Sequence, residues 1–230
     1  MGVGMIKTDL IEKSPVRKLE VALSGGLKAG EFGVITSAKG GGKTSMLVQL
    51  GIDELLRGNR VFHISFSQDS DYAITWYSNL FDELAKHKNL ESAAEIKSTI
   101  MSSRVILNFN QDSVTTSQVV KTVKTLSEGV NAKPHALMID DFDFTKTTKE
   151  SLMELKSAAS EMGLSVWFTA KMDVQNDTPN WLEPFADMLD VVLLLKHSAG
   201  TEVGITALTE HGNKNVSVDV RFDTKSLLLL

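Results

Sequence analysis

Gly33-Val34-Ile35-Thr36-Ser37-Ala38-Lys39-Gly40-Gly41-Gly42-Lys43-Thr44-Ser45 passes from an apolar run through a glycine-rich turn into a segment whose Val48, Ile52, Leu55 and Leu56 share a helical face. A strand that feeds such a turn and then opens a helix gives the glycine motif a physical role. Three successive glycines let the backbone take angles closed to other residues, bringing amide groups close to phosphate oxygens, while the helix start adds partial positive charge. The expected phosphate-binding residues are Ser37, Ala38, Lys39, Gly40, Gly41, Gly42, Lys43, Thr44 and Ser45. Lys43 is placed to reach β and γ phosphates, and the Thr44 hydroxyl to enter a magnesium shell. Ser37 stands where the usual motif has its first glycine, and its small side chain still permits the turn.

A second signal lies downstream at His135-Ala136-Leu137-Met138-Ile139-Asp140-Asp141. An apolar strand ending in acid puts a carboxylate at the sheet edge where α/β proteins bind ligands. Asp140 is the expected second magnesium ligand, acting through water, while Asp141 and Asp143 solvate or cap the following loop. Paired with the glycine turn, this pattern predicts a site for ATP or ADP with Mg2+.

Outward from these motifs, short apolar runs alternate with segments of helical periodicity. Strands are expected at Gly33 to Thr36, Val61 to Phe66, Val105 to Phe109, Ala136 to Ile139, Leu164 to Thr169 and Val191 to Leu195. Their nearly continuous hydrophobicity suits buried parallel strands. Further helical faces are formed by Ala73, Trp76, Leu80 and Leu84, and by Leu152, Leu155, Ala159 and Met162. The stretch His87 to Ser103 has a weak helical pattern. Strand-like runs at Val203 to Leu208, Val216 to Phe222 and Leu227 to Leu230 predict a closing antiparallel meander.

The bulk properties narrow the function classes. With 230 residues, 42% of them hydrophobic, the chain suffices for one substantial core. The formal charge of −5 offers no general basic field for nucleic acid or anionic membrane. The absence of cysteine excludes disulfides, thiolate metal sites and cysteine nucleophiles, and suits a reducing cytoplasm. Charged residues between Lys7 and Lys18 interrupt any signal-peptide core, and Leu227 to Leu230 is too short to span a bilayer. A cytoplasmic protein with no membrane partner is expected.

The phosphate loop and acid-ended strand, with Leu23-Ser24-Gly25-Gly26-Leu27-Lys28-Ala29-Gly30-Glu31-Phe32 upstream, resemble the RecA superfamily. Within it the chain is most similar to DnaB-type helicase cores and KaiC-like ATPases. Ala186 to Leu194 and Val218 to Asp223 resemble that family's later strand and closing hairpin. The resemblance implies a RecA-like P-loop fold: a mostly parallel central sheet flanked by helices, with a C-terminal antiparallel meander. Residues 1–18 would form an N-terminal extension and 19–230 a single nucleotide-binding domain.

The resemblance also locates three departures. Family members place a catalytic glutamate after the second core strand, where this chain reads Ile64-Ser65-Phe66-Ser67-Gln68-Asp69. Asp69 or Asp71 is the candidate substitute, against a reading of both as helix-cap and first-turn residues. The γ-phosphate-sensing glutamine is replaced by Ala170-Lys171, and the hairpin lysine and arginine fall at Thr209 and His211. Lys214 is near enough to replace the finger, against a first reading of it as a solvated loop lysine. Loss of base and finger leaves little fast turnover. The family's DNA-gripping loop is matched here by Met172 to Leu195, which has no lysine or arginine but carries Asp173, Asp177, Glu183, Asp187 and Asp190. Nucleic acid is therefore disfavoured, while a protein partner or homo-oligomer is expected. The competing expectation is an active oligomeric ATPase, motor, helicase-like or recombinase-like, using non-standard catalytic residues.

Overall fold

A computed structural model describes residues 5–66, 70–129, 133–172, 178–197 and 202–230. In chain order its elements are α1 (Lys7–Glu12), α2 (Pro15–Ala22), β1 (Phe32–Ser37), α3 (Lys43–Leu56), β2 (Val61–Ser65), α4 (Ser70–Lys88), α5 (Ala93–Ser102), β3 (Arg104–Asn108), α6 (Thr116–Gly129), β4 (Ala136–Asp140), α7 (Lys149–Met162), β5 (Ser165–Lys171), β6 (Val191–His197), β7 (Glu202–Glu210) and β8 (Asn213–Asp223). Among the described residues the strands make one eight-stranded sheet in the order β3-β2-β4-β5-β1-β6-β7-β8. Strands β1 to β6 pair in parallel, while β7 adds antiparallel to β6 and β8 antiparallel to β7.

Successive strand residues face opposite sides of a sheet, and helices cover both sides here. Ile35, Val61, Met138, Trp167 and Leu193 pack beneath α1 to α5. Their immediate neighbours Val34, Phe62, Leu137, Phe168 and Val192 pack beneath α6 and α7. Burial on both faces explains why β1, β2 and β4 read as nearly continuous apolar runs. Edge strand β3 is only partly buried.

Several sequence expectations need adjustment. Leu227 to Leu230 does not form a strand: beyond β8 the chain turns back, leaving only an isolated bridge between Phe222 and Leu229. The meander is instead β6-β7-β8. Its hairpin turn is only His211-Gly212, both at positive φ (44° and 91°), which matches the twist of the flanking strands. The unsettled stretch after His87 holds the end of α4 and the separate helix α5. Helix α6 had no counterpart in the periodicity reading. The boundary drawn after residue 18 falls inside α2, whose Val16 and Leu19 lie in the core with Leu10 of α1. Among the described residues no helix is long and apolar enough to cross a membrane.

Candidate functional site

Strands β1 and β4 end at the same edge of the sheet, separated by β5. This arrangement brings Ser37, Asp140 and Thr169 together although they are far apart in the sequence. The chain leaves β1 at Ser37, turns through Ala38 to Gly42 and enters α3 at Lys43. Gly42 has φ +91°, and a Cβ there would lie 2.7 Å from a Phe222 ring carbon. At Gly41 a Cβ would lie 2.4 Å from the Ser37 hydroxyl. The turn is thus closed to larger residues by contact as well as by backbone angle.

Lys43 is 9% exposed. Its Nζ donates to the carbonyls of Ser37 and Ala38 and to Ser37 Oγ, each at 3.3 Å. Burial pushes its pKa down, while the carboxylates of Asp140 and Asp141 oppose that shift. Three long bonds to neutral oxygens hold the ammonium weakly, and an anion in the loop would offer shorter, charge-assisted ones.

Asp140, 4% exposed, accepts from Thr44 Oγ1 at 3.1 Å on either oxygen and from Thr169 Oγ1 at 2.5 Å. Burial raises its pKa, and the two hydroxyl bonds act against that rise. The Thr169 hydroxyl in turn accepts from the Asp141 amide at 2.8 Å. Asp141 sits in the left-handed region at φ 59°, and its carboxylate pairs with Lys171 Nζ at 2.9 Å. A non-glycine residue in that conformation is a local cost maintained by its surroundings, here by Thr169 and Lys171.

These groups line a cavity of about 510 Å3 bounded by residues 39–45, Asp140, Asp141, Thr169 and Lys171 on one side and by Tyr72, Trp76 and Leu227 on the other. Of the expected loop residues, Lys39 to Ser45 line the cavity, while Ser37 and Ala38 lie behind it as acceptors for Lys43. Ser45 differs from the rest in directing its hydroxyl to the Leu227 carbonyl at 2.9 Å. Among the described residues no group of three or more His, Asp or Glu side chains gathers at metal-ligating spacing. Thr44 and Asp140 are a partial oxygen set of the kind Mg2+ uses when phosphates and water complete its octahedron.

The other candidates disperse. Asp69, with Ser67 and Gln68, lies outside the described residues, as do Asp173 and Asp177. Asp71 occupies the first turn of α4, agreeing with the capping alternative. Asp143 caps the 3-10 turn Phe144–Lys146 by accepting from Thr145 N at 2.9 Å. Thr209, His211 and Lys214 lie at the sheet edge opposite the phosphate loop, since β7 runs antiparallel to β6. There His211 bridges Glu31 and Glu210, each at 3.1 Å. Trp181 is buried against Phe144 with ring centres 4.5 Å apart, and its Nε1 donates to the Lys171 carbonyl.

Sequence reasoning missed Thr169 and Leu227 as parts of the site. A threonine near the end of an otherwise apolar strand was the one signal for the first, and nothing local marks the second. No family model matches the chain, and no curated protein matches its sequence.

Proposed function

We propose that this protein binds ATP, or a related nucleoside triphosphate, together with Mg2+ on a RecA-like core most similar to DnaB-type helicase cores and KaiC-like ATPases. On this reading it is a nucleotide-gated regulatory or assembly protein with weak or absent hydrolysis. The observation carrying the proposal is the convergence of a buried lysine, a threonine hydroxyl and a buried carboxylate around a three-glycine loop at one sheet edge.

In this reading the amides of Gly40 to Gly42 and the start of α3 face the phosphates. Lys43 exchanges its long carbonyl contacts for phosphate oxygens. Thr44 directly, and Asp140 through water, would hold a magnesium ion, which would neutralise phosphate charge. Thr169 keeps Asp140 aimed by donating to one of its oxygens. Tyr72, Trp76 and Leu227 also line a neighbouring cleft of about 470 Å3, the side on which a nucleoside would extend from the phosphates.

The described carboxylates support the weak-hydrolysis part of this reading. Among the described residues those lining the cavity are Asp140 and Asp141. Asp140 is engaged by two hydroxyls, and Asp141 by Lys171. Neither is poised to activate water as a free base would be.

The test pairs equilibrium dialysis of labelled Mg-ATP with phosphate release measured over a range of protein concentrations. Binding that is abolished by Lys43→Ala, with little phosphate released at any concentration, is the expected result. Fast turnover that rises with concentration and vanishes in Lys43→Ala would replace the switch with an oligomeric ATPase. No binding by the wild type would remove both readings.

A further inference from the structure

Beyond β8 the chain folds back over the helix that begins at the phosphate loop. Asp223 Oδ2 fixes the turn by accepting from Ser226 N and Oγ, at 2.8 and 2.6 Å. The Leu227 carbonyl accepts from Ser45 Oγ and Gln49 Nε2, both at 2.9 Å, and Gln49 Oε1 accepts from Leu229 N at 2.8 Å. Gln49 is only 9% exposed. A buried amide is costly unless both ends are bonded, and segment 223–230 supplies a partner for each end. Leu228 and Leu229 are buried behind this clamp.

The segment also meets the candidate site at its root and at its middle. At its root, the Phe222 ring rests on Gly42. Farther on, Leu227 lines both the phosphate-loop cavity and the adjoining cleft with Tyr72 and Trp76. Leu227 adopts φ 59°, a left-handed conformation unfavourable for leucine. Its carbonyl bonds to Ser45 and Gln49 hold that strained backbone in place.

We propose that residues 223–230 form a strap, clamped to α3 by Gln49, that docks more firmly when nucleotide fills the cavity. The inference rests on the nucleotide-binding reading above and adds the element through which occupancy is read out. A ligand touching α3 and Leu227 together favours the docked strap over a released one. By linkage, releasing the strap completely weakens nucleotide binding by the same factor by which nucleotide favours docking, and a partial release weakens it by less.

The experiment is hydrogen exchange of peptides covering residues 223–230, with and without Mg-ATP, alongside dialysis of labelled ATP on the same samples. Wild-type protein is expected to exchange these amides more slowly when ATP is bound. Gln49→Leu removes both clamp bonds and should raise the ATP Kd about tenfold. Asp223→Ala, which touches neither the cavity nor α3, should loosen the turn and raise Kd by roughly threefold. Both variants should exchange the strap faster than wild type in the absence of nucleotide. ATP bound with unchanged strap exchange in the wild type overturns the inference and leaves nucleotide binding standing. The inference is also overturned if both folded variants bind ATP as wild type does. Should Gln49→Leu fail to fold, the wild-type comparison and Asp223→Ala decide. Absence of ATP binding in the wild type removes the functional reading and the strap together.

Discussion

Gly42 carries two constraints that can be separated by substitution. Its φ of +91° penalises any side chain, and a Cβ would press on the Phe222 ring at 2.7 Å. Gly40 has φ +78° but nothing within 4 Å of a built Cβ. Gly40→Ala is therefore expected to cost about 1 kcal/mol from backbone strain alone. Gly42→Ala should cost roughly 2 to 4 kcal/mol, because overpacking adds to strain. Thermal or urea unfolding of the two variants measures the difference, and equal losses would show that Phe222 yields freely. Lys43 and Thr44 were legible because the motif is a spacing along the chain, and Asp140 because acid at the end of an apolar run is conspicuous. Thr169 and Leu227 were not, since their partners Asp140 and Ser45 lie 29 and 182 positions away. Such contacts are created by strand order and chain reversal, which no local pattern records.

At the scale of elements, α2 is tied to the phosphate-loop helix by an ion pair between Arg17 and Asp53, with Glu20 and Arg57 completing a network. Asp53 is 3% exposed, and burial raises its pKa against the pull of Arg17. Arg17→Ala leaves that carboxylate without its nearest cation and is expected to lower stability by about 3 kcal/mol. Replacing the remaining partner as well, in Arg17→Ala with Asp53→Asn, should recover much of the loss. Chemical denaturation of the two singles and the double checks this, and an unaffected Arg17→Ala would mean Arg57 suffices for Asp53. The boundary after residue 18 follows the extent of the family resemblance, and the network ties Arg17, just before it, to Asp53 of α3. Helix α6 escaped notice for a different reason. Thr116, Val119, Val120, Thr122, Val123 and Thr125 are β-branched, which lowers helix propensity. Packing of Val119, Val120 and Val123 on the sheet outweighs that bias. The parallel strands other than edge strand β3 were legible in position because burial on both faces leaves little room for polar residues.

For the molecule as a whole, the acidic stretch after β5 was the sequence argument against nucleic acid, and the structure shifts part of its basis. Asp187 is paired with Lys149 at 3.0 Å. Asp190 is paired with Lys156 at 2.7 Å and also accepts from the Phe32 amide. These two carboxylates hold helix α7 and the start of β1 in place, so their repulsion of phosphate is partly neutralised. A second argument comes from the aromatic residues described in this stretch. Trp181 and Phe185, the aromatic residues in this stretch, are both packed against Phe144 rather than offered to bases. Single-strand binding requires a basic groove together with exposed stacking surfaces. A formal charge of −5 supplies no general attraction to compensate. Labelled single-stranded DNA should therefore show no saturable anisotropy change at micromolar protein and about 150 mM salt, with or without Mg-ATP. Binding confined to low salt would be nonspecific attraction, since each neutralised phosphate on a single strand contributes a log-log salt slope of about −0.7. Saturable binding at physiological salt that depends on ATP would instead show that nucleotide assembles a strand-binding surface from several copies of the chain.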